Sequence, residues 1–161
     1  MELHFGTYRE MITEDQNEIK SLIIKGNEAN NNLVEGRLHT SALTAYFKDN
    51  NKIIATSTIK TPEISYITTI FDKALSKLDP LNYIHELGYV FVDLDYRNQK
   101  LASTLCSELV WKFKTENLFS TTRTDNLGMQ SILNTLGFIP NGNPYPSIIQ
   151  DKLLSVYIKI S

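Results

Sequence analysis

Apolar and β-branched residues fill two runs in the first half of the chain, 42–47 and 53–59, with the polar segment K-D-N-N-K between them. Two extended runs joined by a short asparagine turn are typical of a β-hairpin. A weaker alternation over residues 3–8 predicts an earlier strand. We therefore expect an antiparallel sheet in this part of the chain.

The first helical pattern lies between the predicted strand at 3–8 and the run at 42–47. Thr13 and Gln16 stand three residues apart, which matches a capping box. Apolar residues then recur at helical spacing up to Gly26. Residues 27–36 are polar and rich in asparagine, so we expect a loop there.

Helical and extended patterns alternate through the rest of the chain. Gly137 matches the usual stop of a helix, whereas Pro144 and Pro146 mark a turn-rich segment before the last strand. This order predicts a mixed α/β (α+β) fold, and the length fits one domain over residues 1–161. Helices are predicted at 64–78, 101–113 and 129–136, and strands at 86–92, 118–122 and 153–160.

The composition indicates neither a polyanionic partner nor a membrane. Lys and Arg number 16 against 18 Asp and Glu, a formal net charge of −2, so nucleic acid is not favoured as a partner. No apolar segment approaches the roughly 18 residues that a membrane-spanning helix needs, and the N-terminal residues lack the pattern of a signal peptide. We expect a cytoplasmic protein.

The usual metal and nucleotide motifs do not occur. Cys106 is the one cysteine, which excludes an internal disulfide, and the three histidines are scattered, so no metal-ligand spacing arises. The sequence contains no G-x-G-x-x-G, Walker or G-x-S-x-G motif. Dinucleotide, nucleoside triphosphate and serine hydrolase chemistry therefore has no support, and no metal is expected.

The segment from Glu86 to Ser103 passes from an apolar strand through a short polar turn into a helix. Free N–H groups at the start of a helix and the positive end of its dipole favour an anion. Arg97 and Lys100 add two cationic side chains at this point. The junction therefore predicts a site for a phosphorylated ligand.

Two motifs resemble those of the GNAT superfamily of CoA-dependent N-acetyltransferases. R-N-Q-K-L-A at 97–102 is similar to the family's pyrophosphate-binding motif. The segment from Asn126 to L-G-F at 136–138 is similar to the family's second CoA-contacting helix and its closing turn. The resemblance covers residues 40–160. It implies a mixed, mostly antiparallel central sheet flanked by helices, with an acyl-CoA site between the strands at 87–93 and 118–122.

By this resemblance acetyl-CoA is the co-substrate, and backbone groups hold most of it. Amides of the turn would cradle the pyrophosphate, since a helix start supplies several converging donors. The backbone of Phe91 and Val92 would pair with the pantetheine arm, and Asn126 would contact CoA, cap its helix, or do both. The implied cofactor-binding residues are Phe91, Val92, Arg97, Asn98, Gln99, Lys100, Leu101, Ala102, Ser103 and Asn126.

Two positions depart from the family pattern. Lys100 stands where the family most often has glycine. A residue other than glycine costs about 1 kcal/mol if the turn needs a positive φ. The lysine side chain can, however, contact phosphate directly. Leu133 stands where many members carry a tyrosine that protonates the departing thiolate. A thiol with a pKa near ~8.5 leaves fairly well as the anion, and Tyr145 or a water is the candidate substitute.

Acyl transfer to an amine needs a base, because an amine with a pKa around 10 is mostly protonated at pH 7. The resemblance implies Glu86 as this catalytic residue, and the alternative is a carboxylate exposed to solvent. His85 should point to the opposite face of the strand, so we expect it to be structural. Arg123 either binds a carboxylate of the acceptor or caps the next helix.

These residues predict transfer of an acetyl group from acetyl-CoA to a primary amine by direct attack in a ternary complex. The acceptor is a small molecule or a peptide, and the segments 27–39 and 64–78 should select it. One alternative is a domain that binds acyl-CoA with weakened catalysis and acts as a sensor or interaction module. A plain α+β interaction protein is another. Homodimerisation through the C-terminal strand stays open.

Overall fold

The computed structural model describes residues 1–161 and confirms the predicted mixed α/β fold, with a mostly antiparallel seven-stranded sheet and five α-helices. The strands are β1 (Glu2–Gly6), β2 (Leu43–Asp49), β3 (Lys52–Lys60), β4 (His85–Val92), β5 (Leu118–Arg123), β6 (Ile139–Pro146) and β7 (Leu153–Lys159). The helices are α1 (Thr13–Lys25), α2 (Asn31–His39), α3 (Ile64–Lys73), α4 (Leu101–Lys112) and α5 (Leu127–Thr135). None of the helices combines the length and the apolarity needed to cross a bilayer.

The residues group into two compact units. Unit 1 comprises Met1–Thr61 and Leu87–Lys112, and unit 2 comprises Pro62–Glu86 and Phe113–Ser161. β4 contributes His85 and Glu86 to unit 2 and its remaining residues to unit 1. The predicted phosphate turn therefore belongs to unit 1, and the predicted base belongs to unit 2.

Unit 1 contains the predicted hairpin. β2 pairs antiparallel with β3, and β1 pairs antiparallel with β2. Asn50 and Asn51 form the two-residue turn with φ of 49° and 63°, a left-handed pair that asparagine tolerates and that matches the twist of the strands. Its core consists of apolar side chains from α1, α2 and the sheet, namely Tyr8, Ile19, Leu22, Ile23, Val34, Leu38, Tyr46 and Ile53.

The predicted loop over 27–36 is wrong, because most of this segment forms α2. The Asn30 side chain accepts a hydrogen bond from the Asn32 amide and so caps the helix. Val34 and Leu38 lie four residues apart on one face of α2 and are fully buried. Burial of these two side chains outweighs the weak helix preference of the asparagines.

The predicted capping box is also wrong. Ile12 occupies the N-cap position of α1 without a side-chain cap, and Thr13 is the first helical residue. Gln16 instead donates from Nε2 to the carbonyl oxygen of Tyr8 over 2.8 Å, and the Tyr8 hydroxyl donates to the carbonyl oxygen of Gln16 over 3.1 Å. These bonds hold the start of α1 against the buried Tyr8, which lies in a short 3-10 turn after β1 rather than in the strand.

Unit 2 is built around β7. β5 and β6 both pair antiparallel with β7, and β5 pairs in parallel with the start of β4 through His85–Leu118 and Glu86–Phe119. Side chains of α3 pack on one face of these strands. The buried cluster consists of Ile67, Ile70, Phe71, Ala74, Tyr83, Phe119, Tyr145, Val156 and Ile158.

α3 ends at Lys73, five residues before the predicted end at 78. Leu75 adopts a left-handed φ of 54°. The Ser76 amide donates to the Phe71 carbonyl, and the Leu75 amide donates to the Asp72 carbonyl. This pair of bonds is a Schellman motif, which terminates a helix when a residue takes the left-handed conformation. The apolar pattern continued past this point because Ala74 and Leu78 still pack on the core.

Pro144 and Pro146, predicted to mark turns, lie in β6. Pro140 and Pro146 stand opposite Tyr157 and Leu153 of β7, with a bulge between Asn141 and Tyr145. An edge strand and a bulge both tolerate proline, because the missing N–H need not pair. Gly142, with φ of 69°, lies in this bulge against the backbone of Ala74, where a Cβ would clash.

Candidate active site

The predicted phosphate turn lies in unit 1, between the end of β4 and the start of α4. The Lys100 carbonyl accepts hydrogen bonds from the Ser103 and Thr104 hydroxyls at 2.9 and 3.0 Å, and from the Thr104 amide. The first amides of a helix have no partner within it, so α4 presents free donors at this turn. Amides at this position are the donors that the predicted anion site requires.

Arg97 is anchored beside these amides. Its Nε donates to the Val92 carbonyl over 3.3 Å, and its guanidinium lies 5.8 Å from the centre of the Phe91 ring. Phe91 in turn contacts Gly26, the residue that ends α1. The contacts hold the stem of Arg97 along the end of β4, while the exposed guanidinium keeps donors for an anionic ligand.

The turn also contains two left-handed residues without a glycine. Asn98 and Lys100 both have φ of 61°. Asparagine tolerates this conformation, whereas lysine does so at a cost of about 1–2 kcal/mol. The turn thus has the positive φ for which glycine is suited, and Lys100 occupies it under strain.

Lys100→Gly is expected to be more stable to urea than Lys100→Ala by about 0.5–1 kcal/mol, because both lose the charge but only glycine relaxes the backbone. Lys77, exposed and outside the left-handed region, is the control, and there the alanine variant should be the more stable. Equal stability of the two Lys100 variants would show that the backbone conformation carries no strain.

Asp93 anchors the start of the turn through several hydrogen bonds. This role was not predicted from the sequence. Its buried carboxylate accepts from Lys25 at 2.9 Å, from Lys52 at 3.3 Å and from the Leu94 amide at 2.8 Å. Its amide donates to the Ile54 carbonyl. The Lys25 hydrogen bond is the main cause that lowers the pKa of Asp93 below its ordinary value of 3.8. The only sequence signal was an aspartate directly before a short polar turn.

Asp93→Asn should destabilise unit 1 by about 1–2 kcal/mol at neutral pH, because it removes the charge that two half-exposed lysines contact. The pKa of Asp93 is lower in the folded protein than in the unfolded chain. The stabilisation by its carboxylate is therefore present above the unfolded-state pKa and is lost as pH falls through the folded-state pKa. Urea titrations at pH 7 and pH 3 measure this. If the difference in unfolding free energy between variant and wild type is as large at pH 3 as at pH 7, the charge explanation is contradicted.

β4 carries a backbone irregularity before it reaches the turn. Tyr89 has a left-handed φ of 50° within the strand. The Lys60 ammonium lies 4.5 Å from the centre of the Tyr89 ring. A Cβ at Gly88 would also contact the Lys60 side chain, so glycine leaves room for the lysine. Nothing in the alternation of residues 86–92 indicates this left-handed residue.

Glu86 lies in unit 2 and is buried, with 2% of its surface exposed. The alternative of a solvent-exposed carboxylate is therefore wrong. Glu86 pairs with Phe119 in the parallel register, and the Thr121 hydroxyl donates to Glu86 Oε1 over 3.5 Å. A carboxylate as deeply buried as this is uncommon in proteins.

His85 and Tyr145 flank this carboxylate in different ways. His85 contacts Glu116 at 2.8 Å and the Phe113 ring, which fits the structural role expected of it. Tyr145 is 3% exposed, and its hydroxyl has no hydrogen-bond partner. Burial, and secondarily the charge of Glu86, raise the pKa of Tyr145. A raised pKa makes the phenol a weaker acid, so it is poorly suited to protonate a thiolate with a pKa near ~8.5.

Arg123 and Asn126 lie at the end of β5 in unit 2. Arg123 Nε is 3.0 Å from Asp125, which also pairs with Lys152 at 2.9 Å. The Asn126 side chain accepts from the Met129 amide over 3.1 Å and so caps α5, one of the two roles considered for it. Leu133 is buried in α5 and offers no acid. Burial raises the pKa of Cys106 to about 12, which leaves that thiol unsuited to act as a nucleophile.

The predicted site residues thus fall into two groups. Phe91, Val92 and the turn from Arg97 to Ser103 lie together in unit 1, and Glu86, Arg123 and Asn126 lie in unit 2. The sequence did not single out Asp93, Tyr89 or Lys60, which shape the first group. It did single out Tyr145, as a candidate acid.

The fold is similar to that of several solved structures. No protein-family model and no curated protein sequence matches the chain. Among solved structures, Escherichia coli ElaA is similar with a TM-score of 0.70, 13% identity and 99% coverage of both chains. A GNAT-family acetyltransferase of Streptococcus agalactiae has a TM-score of 0.69 and 18% identity, over 99% of this chain and 95% of that one. A GNAT-family acetyltransferase of Elizabethkingia anophelis, with acetyl-CoA bound, has a TM-score of 0.65 and 14% identity, over 99% of this chain and 97% of that one.

Proposed function

Since the chain has the GNAT fold, we propose that it transfers an acetyl group from acetyl-CoA to a primary amine, with Glu86 as the general base. The observation that carries this proposal is the position of a buried carboxylate at the start of β4, the same strand that leads into the phosphate turn. One strand thus links a candidate base to a candidate anion site. The acceptor is a small molecule or the amine of a peptide.

The residues of the turn fit a CoA pyrophosphate. Free amides at the start of α4, the Arg97 guanidinium and the Lys100 ammonium supply convergent donors and positive charge. The acetyl-CoA bound to the similar E. anophelis protein supports the same ligand for this chain. When bound, acetyl-CoA supplies the thioester carbonyl and the thiolate leaving group.

The proposed reaction needs one proton acceptor from the protein and no metal. Glu86 takes one proton from the acceptor ammonium, either directly or through water, and the free amine then attacks the thioester carbon. A C–N bond forms, the C–S bond breaks, and CoA leaves as the thiolate. The nitrogen releases its second proton to water, which leaves the neutral amide. Leu133 supplies no acid, so we propose that the thiolate leaves as the anion and is protonated by solvent.

Two measurements test this function. Calorimetric titration with acetyl-CoA measures binding, and release of free thiol measures turnover over a panel of 2-phenylethylamine, spermidine, a lysine peptide and a peptide with a free alanine terminus. We expect binding, and thiol release that depends on one of these amines. Absence of binding at millimolar acetyl-CoA would overturn the proposal.

A second candidate function is favoured by Leu133 and Lys100. A missing acid and a strained turn residue are consistent with a domain that binds acyl-CoA and acts as a sensor or interaction module. Acetyl-CoA binding without turnover on the whole panel would favour this alternative over the enzyme.

A further inference from the structure

The hydroxyl of Tyr145 is a buried polar group that the proposed reaction does not yet use. Its oxygen is inaccessible to solvent and has no hydrogen-bond partner, although buried hydroxyls in proteins are nearly always paired. The ring is packed in the apolar cluster of unit 2. An unpaired phenol in such surroundings destabilises the free protein, so a ligand that pairs with it gains affinity.

The strand register places this phenol on the same face as the candidate base. Glu86 stands opposite Phe119, and Phe119 and Thr121 share one face of β5 because they lie two residues apart. Arg123 lies two residues after Thr121 and therefore on that same face of β5. Leu154 of β7 stands opposite Arg123, and Tyr145 of β6 stands opposite Leu154, so Tyr145 is on this face of the sheet as well. The influence of the Glu86 charge on the pKa of Tyr145 agrees with this placement. Tyr145 and Glu86 therefore face the same apolar cluster, within unit 2.

We propose that Tyr145 is a positioning residue for the acceptor, and that its phenol oxygen and the Glu86 carboxylate each accept one N–H of an unhindered primary amine. The proposal rests on the function given above. A neutral phenol can accept one hydrogen bond, and a carboxylate can accept several. The two N–H groups of a free –NH₂ would be held by two oxygens, which leaves the nitrogen lone pair free to attack.

This arrangement indicates which class of amine would be the acceptor. Glu86 and Tyr145 are both almost fully buried, which favours a slender –CH₂–NH₂ terminus over a branched amine. The surrounding side chains are apolar and aromatic, including Phe71 and Tyr83, which favours an apolar body next to the amine. An N-methyl amine has one N–H as the free base and leaves one of the two oxygens unpaired.

The reaction with Tyr145 in this role balances without any further reagent. Glu86 first takes one proton from the ammonium, and the free amine nitrogen then forms the C–N bond. The C–S bond breaks to release the thiolate, and the second proton of the nitrogen passes to water. Tyr145 keeps its own proton throughout. It orients the amine and does not exchange a proton with it.

Kinetics of Tyr145→Phe test the proposal, with Tyr157→Phe as the control. Tyr157 is a buried tyrosine of unit 2 that stands opposite Ser120, on the other face of the sheet from Phe119 and Thr121. The probes are 2-phenylethylamine and N-methyl-2-phenylethylamine, with acetyl-CoA saturating and thiol release as the readout. We expect Tyr145→Phe to lower kcat/KM for the primary amine by roughly 3- to 10-fold, the effect of one neutral hydrogen bond. The ratio of rates for the primary and N-methyl amines should fall by the same factor, and Tyr157→Phe should change neither quantity.

Thermal unfolding of the same variants separates positioning from a structural role. Tyr145→Phe removes a hydroxyl that has no partner, so Tm should stay the same or rise. An unchanged amine ratio would overturn the proposal at any Tm, as would a wild type that does not acetylate 2-phenylethylamine. A wild type that acetylates other amines of the panel would leave the proposed function standing in that case. A wild type inactive on every amine would remove both.

Discussion

Glu86→Gln is expected to lower kcat/KM for amine acetylation by about 10²- to 10⁴-fold, the contribution of a well-placed general base. Glutamine keeps the size of the buried side chain but cannot accept a proton. The loss should become smaller as pH rises toward the pKa of the amine, around 10, because a growing fraction of the acceptor then arrives already deprotonated. Thiol release measured from pH 7 to pH 9.5 tests both the size of the effect and its pH dependence.

Glu116→Gln is the control for this prediction. Glu116 also belongs to unit 2, is partly exposed, and contacts His85, the neighbour of Glu86. Its replacement should leave kcat/KM unchanged. Calorimetry should show that Glu86→Gln binds acetyl-CoA as the wild type does. If the rates of Glu86→Gln match those of the wild type at pH 7, Glu86 is not the base.

Arg97→Ala is expected to weaken acetyl-CoA binding by about 10- to 100-fold, which corresponds to roughly 1.5–3 kcal/mol for hydrogen bonds between charged groups. The variant removes the guanidinium but leaves the free amides of α4 in place, so binding should be weakened and not abolished. The difference from wild type should shrink as salt is raised, because Arg97 is exposed and its charge is screened. Calorimetric titration at 50 mM and 500 mM salt measures this.

Arg9→Ala serves as the control for Arg97→Ala. Arg9 is an exposed arginine of unit 1 outside the turn. Its loss changes the net charge by the same amount, so a decrease in affinity equal to that of Arg97→Ala would show a general charge effect. Equal affinity of Arg97→Ala and wild type would mean that the turn does not bind the phosphates.

The elements with two agreeing sequence signals were predicted well. The β2–β3 hairpin had both an alternating pattern and an asparagine pair that accepts left-handed conformations. The end of α5 had both a fading apolar stripe and Gly137, whose φ is 88°. Where local signals agree with the packing, a single sequence is enough to locate an element.

The errors arose where composition and packing disagree. The asparagines around α2 indicated a loop, but Val34 and Leu38 bury one face of a helix. Prolines around Tyr145 indicated turns, but an edge strand accepts them. The early stop of α3 depends on the left-handed Leu75, a residue type that gives no sign of that conformation. These outcomes depend on tertiary contacts that periodicity does not report.

The candidate site was predictable from the sequence only in part, because some of its features depend on contacts between residues that are distant in the chain. Arg97 and Lys100 follow a strand and precede a helix, which is visible in the sequence. The burial of Glu86 and the anchoring of the turn by Asp93 depend on Thr121, Lys25 and Lys52, which are distant in the chain. The unpaired hydroxyl of Tyr145 could not be foreseen, because it depends on what surrounds the side chain in the folded protein.

The prolines of β6 also affect how copies of this protein can associate. β6 is the last strand in the order of unit 2, with β7 on its inner side. Pro140, Pro144 and Pro146 lack N–H donors, so the outer edge of β6 offers few hydrogen bonds to an incoming strand. Proline at this edge therefore disfavours pairing with a strand of a second copy. Two of the residues that pointed to turns in the sequence, Pro144 and Pro146, are thus of a type that limits edge-to-edge association of sheets.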